Sequence, residues 1–122
     1  MLIKNISISE ICYNGIGYRV MILSEKEKNS IKEKLATCLS NEREVRKVVV
    51  FGSFLTKNDP NDVDVAVFQD SAEAYLPLAM KYRRITRSLS DKIPLDIIPL
   101  KHAVSTGLFL EEVDKGETVY ER

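Results

Sequence analysis

Two valine-rich runs, Val-Val-Val-Phe at 48–51 and Val-Ala-Val-Phe at 65–68, are separated by a polar stretch with no helical pattern. Short runs of β-branched and aromatic residues favour strands. Parallel strands need a crossover of a dozen or more residues, usually a helix, whereas a short loop joins an antiparallel pair. The pattern predicts strands over 47–51 and 62–68, antiparallel, with a loop over 52–61. It excludes a doubly wound nucleotide fold, where a helix separates successive strands.

The remaining elements surround this pair. Ser24 and Glu27 form a capping-box pattern, and Ile31, Leu35, Cys38 and Leu39 follow at helical spacing. A surface helix is expected over 25–40, then a charged connection over 41–46. Asp70 and Glu73 make a second capping-box pattern before a helix over 71–89, with Pro77 at its true start or kinking its first turns. Residues 94–100 read as a strand bounded by prolines. Residues 102–115 read as a helix ended by Gly116, and 117–122 as a short tail. Partial alternation around Asn14-Gly15-Ile16-Gly17 suggests an N-terminal β-hairpin over 2–22. The expected class is α/β (α+β), a mixed sheet flanked by helices, in one domain over 1–122 with its core at 25–121.

The chain has 122 residues, 44% hydrophobic and 30% charged, with 18 basic and 18 acidic side chains. That suits one soluble domain with a real core. Balanced charge argues against a dedicated nucleic-acid binder, though not against a small anionic substrate. Cys12 and Cys38 are too far apart for any metal-binding spacing, and Cys38 on the apolar helix face is expected to be buried. With no signal-peptide pattern and no apolar run of about 18 residues, a cytoplasmic protein with reduced thiols is expected.

Chemistry concentrates at Gly52-Ser53 and at Asp62 and Asp64. Carboxylates one residue apart on a strand share a face. Two like charges there are costly unless a cation lies between them. Gly52 lets backbone approach a ligand closely, and Ser53 adds a hydroxyl, a turn suited to phosphate. Asp96 is a lone carboxylate in the apolar run Pro94-Leu95-Asp96-Ile97-Ile98 and needs a partner. The three aspartates read as a magnesium site beside a phosphate turn.

This helix–strand–Gly-Ser–loop–Asp-x-Asp–strand pattern over 31–68, with Asp96 on a later strand, resembles the nucleotidyltransferase superfamily that includes DNA polymerase beta. Chain length and the Gly–apolar–Tyr-Glu ending are similar to its minimal members. The resemblance implies transfer of a nucleoside monophosphate from an NTP, ATP by preference, to a hydroxyl. Asp62 and Asp64 would bind two magnesium ions, and Asp96 one metal and the attacking hydroxyl. Gly52, Ser53 and Lys57 would serve the nucleotide phosphates. It also implies an antitoxin-like role with a small helical partner of the HEPN class, modified by nucleotide transfer.

Three features depart from the family pattern. The loop at 54–61 is short and carries Lys57 instead of an arginine, Asn61 stands where serine is common, and 1–22 lies outside the pattern. The alternative is a non-catalytic nucleotide- or partner-binding module of the same fold. Homo-oligomer formation stays open; no nucleic-acid or membrane partner is expected. Lys81, Arg83, Arg84 and Arg87 read as a solvated helix face, with a partner or acidic substrate as the other reading. His102 reads as a surface or helix-start residue, and Tyr13, Tyr75, Tyr82 and Tyr120 as core-edge residues.

Overall fold

A computed structural model describes residues 11–13, 19–90, 93–101 and 108–122. Helix α1 (Glu25–Ser40) begins where the capping box places it: the Ser24 hydroxyl accepts from the Glu27 amide, and the Glu27 carboxylate accepts from the Ser24 amide. Its Ile31, Leu35 and Leu39 are buried. Cys38 is only half-buried, contrary to expectation, because it flanks the buried stripe instead of sitting within it.

Strand β3 (Val45–Phe51) starts two residues before its expected onset and shortens the charged connection. It pairs antiparallel with β4 (Val63–Gln69). The expected loop between them contains one helical turn, α2 (Ser53–Thr56). The expected helix over 71–89 is shorter and divided into α3 (Tyr75–Ile85) and α4 (Arg87–Ser90). Its capping box does not form. Asp70 pairs with Arg46 at 2.7 Å, the Ser71 hydroxyl accepts from the Glu73 amide, and Ala74 is the N-cap. Pro77 falls in the first helical turn, where a missing N–H costs little.

The α3–α4 crossover returns the chain to β5 (Leu95–Lys101), parallel to β4 and at the sheet edge, where Pro99 is tolerated. Helix α5 (Leu108–Asp114) occupies the described part of the helix expected over 102–115; His102 lies outside the described residues. The expected tail is a strand, β6 (Glu117–Glu121), antiparallel to β3. The order across the mixed sheet is β5-β4-β3-β6. Of the hairpin expected over 2–22, the described residues supply β1 (Ile11–Tyr13) paired antiparallel with β2 (Arg19–Met21); the rest lies outside them.

Alternation splits the sheet into two faces. Val48, Val50, Val63, Val65, Val67 and Ile97 pack under α1, α3 and α4. Val49, Phe51, Ala66 and Phe68 face Val113 and Leu110 of α5. Each fully buried valine contributes about 1.5–3 kcal/mol. Gly116 does more than end α5: an added Cβ there would lie 2.5 Å from the Val50 carbonyl oxygen, so close approach to β3 requires glycine. Tyr82 is fully buried in the core, not at its edge, whereas Tyr75 is 55% exposed. Tyr120 is half-buried, and the side chain of Tyr13 lies outside the described set.

Candidate active site

The β3–α2 junction turns on Gly52, whose φ of 82° and ψ of −158° fall in a region open essentially to glycine alone. Phe51 pairs with Asp64 across the β3–β4 ladder. This brings the Gly52 backbone against the Asp64 carboxylate: a Cβ on Gly52 would lie 2.5 Å from Asp64 Oδ2. Ser53 opens α2, half-buried, and its hydroxyl has no hydrogen-bond partner among the described residues.

Asp64 and Asp96 are register partners in the parallel β4–β5 ladder. Asp64 shares the alternation of Ala66 and Phe68, and Asp96 that of Ile98 and Leu100, so both belong to the α5 face at one end of the sheet. Asp62 stands one residue before β4 instead of within it. Burial pushes the Asp64 carboxyl above its ordinary value, and the negative charges of Asp62 and Asp96 push it further. Among the described residues, none of the three aspartates forms an ion pair. The fold thus gathers Gly52, Ser53, Asp62, Asp64 and Asp96. It makes no such link for Lys57, whose exposed ammonium has no hydrogen bond or ion pair among the described residues.

Among the described residues, no three His, Cys, Asp or Glu side chains close into a ready metal cage. The aspartates are an open grouping, near enough for two of them to raise the third. Their chemistry nevertheless fits a hard divalent cation, which takes oxygen ligands and would relieve the repulsion at Asp64.

One contributor is hidden in the sequence. Lys28 looks like a solvent-facing helix residue but is 3% exposed. Its ammonium donates to the Lys57 carbonyl at the end of α2 and lies 5.6 Å from the Phe54 ring centroid. The Leu23 amide donates to the Asn58 carbonyl at 2.9 Å. Together these contacts tie the turn after Ser53 to the start of α1. No local pattern marks this lysine, since its burial comes from the α2 turn folded over it.

A sequence profile of the family "Polymerase beta, Nucleotidyltransferase" matches residues 33–122, which include all five gathered residues. The chain belongs to the polymerase beta nucleotidyltransferase family. No protein of curated function matches this nucleotidyltransferase by sequence. Its fold is similar to a chain of the toxin–antitoxin complex MntA–HepT, at TM-score 0.56 and 15% identity, covering 77% of this chain and 73% of the other. A chain of the complex between tri-AMPylated Shewanella oneidensis HEPN toxin and MNT antitoxin gives TM-score 0.57 at 16% identity, covering 78% and 73%. A mutant form of the MntA–HpeT toxin–antitoxin complex gives 0.55 at 18%, covering 78% and 73%. At these identities the likeness is one of fold. Among the described residues, no helix is long and apolar enough to cross a membrane.

Proposed function

We propose that this nucleotidyltransferase moves a nucleoside monophosphate from ATP to a hydroxyl on a small helical partner of the HEPN class and releases pyrophosphate. One observation carries the reading: Asp62 and Asp96 crowd Asp64 beside the Gly52–Ser53 turn, with no basic group paired to any of them among the described residues. In the proposed site, Asp62, Asp64 and Asp96 would hold magnesium, two ions in all. Bound magnesium would neutralise phosphate charge and make the α-phosphorus more electrophilic.

The chain's own groups do the rest. Gly52 lets its backbone approach the β- and γ-phosphates, and the Ser53 hydroxyl donates to them. Asp96, the exposed member on the edge strand, accepts the proton of the attacking hydroxyl. The hydroxyl oxygen bonds to the α-phosphorus as the bond to the bridging oxygen of pyrophosphate breaks. Such catalysis is mainly positioning and charge neutralisation. ATP and the partner class are suggested by the fold likeness to chains of MNT–HEPN complexes, one holding an AMP-modified toxin.

The test is incubation with α-labelled ATP, magnesium and a candidate partner protein of the HEPN class. Label should appear on the partner and fall by roughly two to four orders of magnitude with Asp64→Asn. Absence of transfer with all four NTPs would overturn the catalytic reading. The short loop without arginine and a Lys57 ammonium with no hydrogen bond or ion pair among the described residues favour a second reading, a non-catalytic binding module. Calorimetry separates the two: magnesium–ATP binding that Asp64→Asn abolishes supports the first, and no binding supports the second.

A further inference from the structure

Helix α3 sorts its polar residues by face. Lys81 turns toward the body of the fold and meets Glu44 at 2.9 Å, Glu42 at 3.0 Å and Glu73 at 3.8 Å. Arg83, Arg84 and Arg87 are exposed and form no ion pair among the described residues. They continue a line begun by Leu76, 62% exposed, and Met80, 56% exposed. Spacings of four, then three or four residues put Leu76, Met80, Arg83 and Arg84 on one face of α3, and Arg87, the first residue of α4, lines the same cleft. Within α3 the line from Leu76 to Arg84 runs about 12 Å at 1.5 Å per residue. At its basic end lies a cleft of about 360 Å³ lined by Met80, Arg83, Arg84, Arg87, Ser90 and Leu95. Leu95 precedes Asp96 in β5, the edge strand of the sheet among the described residues, and points to the opposite face.

We propose that this face of α3 and its cleft form the docking surface for a partner protein. The partner would present an amphipathic helix, apolar at one end and carboxylate-bearing at the other. The proposal rests on the reading that the acceptor is a protein. Charge complementarity identifies the occupant: three guanidiniums unpaired among the described residues, on a chain of zero net charge, call for a local acidic counterpart. Leucine, methionine and arginine grouped in one exposed stripe make an anchor surface, and arginine and methionine are enriched at interfaces. Nucleic acid suits it less, since Leu76 and Met80 offer no ring on which bases could stack. A helix seated here would end beside Leu95, at the start of the strand that carries Asp96.

The experiment measures affinity for a candidate partner protein of the HEPN class. It compares wild type, the Arg83→Glu/Arg87→Glu double variant and Met80→Glu, with magnesium–ATP binding followed in parallel. Both variants should retain the wild-type melting curve and ATP binding while losing at least thirtyfold in partner affinity. Lysine substitutions for partner carboxylates should weaken binding to wild type and restore it to the double variant. Unchanged partner affinity in both variants would overturn the proposal, as would a wild type that does not bind the partner. So would affinity for a single-stranded oligonucleotide, or self-association in sedimentation, that responds to the variants while partner binding does not. If wild type fails to bind ATP but the α3 variants still lose the partner, the catalytic reading falls and the docking surface stands.

Discussion

Gly52 and Asp64 are fitted so closely that an added Cβ on the glycine would come within 2.5 Å of Asp64 Oδ2. The antiparallel β3–β4 register creates this contact, and the positive φ of Gly52 reinforces the demand for glycine. Gly52→Ala is therefore expected to strain the backbone and displace the carboxylate. The cost should be about 1–3 kcal/mol of stability. Transfer should drop by roughly a hundredfold, the scale of a 1 Å misplacement. Urea denaturation and initial rates with labelled ATP check the two effects; a near wild-type rate would show that the contact does not matter to the site.

Asp64 also sets a trade-off between stability and activity. Its carboxyl lies above the ordinary value of 3.8 because of burial first, then Asp62 and Asp96. An acid whose folded value is raised destabilises the fold once ionised. Stability is thus lost as pH rises from the ordinary value through the raised one. Asp64→Asn should leave the magnesium-free protein at least as stable as wild type at pH 7, while abolishing transfer. Magnesium should raise the melting temperature of wild type and not of the variant. A variant that melts well below wild type without magnesium would contradict this account.

Lys28 supports the turn from behind. Lys28→Met keeps most of the buried stem and removes the donor to the Lys57 carbonyl. Loss of a hydrogen bond from a charged group is worth about 1.5–3 kcal/mol, offset in part because no charge remains buried. Stability should change by about 1 kcal/mol, yet kcat/KM for ATP should fall roughly tenfold, mainly through KM, as the turn loosens. Lys28→Arg should recover part of the loss. Equal kinetics for Lys28→Met and wild type would reduce Lys28 to a packing residue.

The sequence displayed some of this more readily than the rest. Helix α1 was legible because Ser24, Glu27, Ile31, Leu35 and Leu39 each make a local statement that agrees with the fold. The carboxylates stood out because Asp64 and Asp96 interrupt apolar strands. Strand β6 was obscured because an edge strand of mixed polarity resembles a tail until β3 pairs with it. The start of α3 was obscured because Asp70 has a competing partner in Arg46, and Ala74 carries no capping side chain. Lys28 was invisible for a different reason: its burial is set by the loop folded over it, and no local pattern encodes that.

Lys81, Glu44 and Tyr82 join α3 to the turn before β3. The Tyr82 hydroxyl donates to Glu44 Oε2 at 3.0 Å, alongside the Lys81 ammonium. Burial alone would raise the Glu44 carboxyl, but hydrogen bonds from Lys81, its own backbone and Tyr82 outweigh it and hold the group below 4.5. Those bonds, Glu44 first and then Glu42, lift Lys81 above 10.5. A depressed acid contributes stability that is present above its ordinary value and lost as pH falls through the folded one. A raised lysine contributes stability that is present below its ordinary value and lost as pH climbs through the folded one. The cluster should therefore stabilise the fold between about pH 5 and pH 10 and weaken at both extremes. Tyr82→Phe should cost about 1 kcal/mol and Glu44→Gln about 1.5–3 kcal/mol near neutral pH. Denaturation midpoints taken from pH 3 to pH 11 should show the Glu44→Gln deficit shrinking at both ends; a deficit constant across that range would mean that the cluster acts by packing and not by charge.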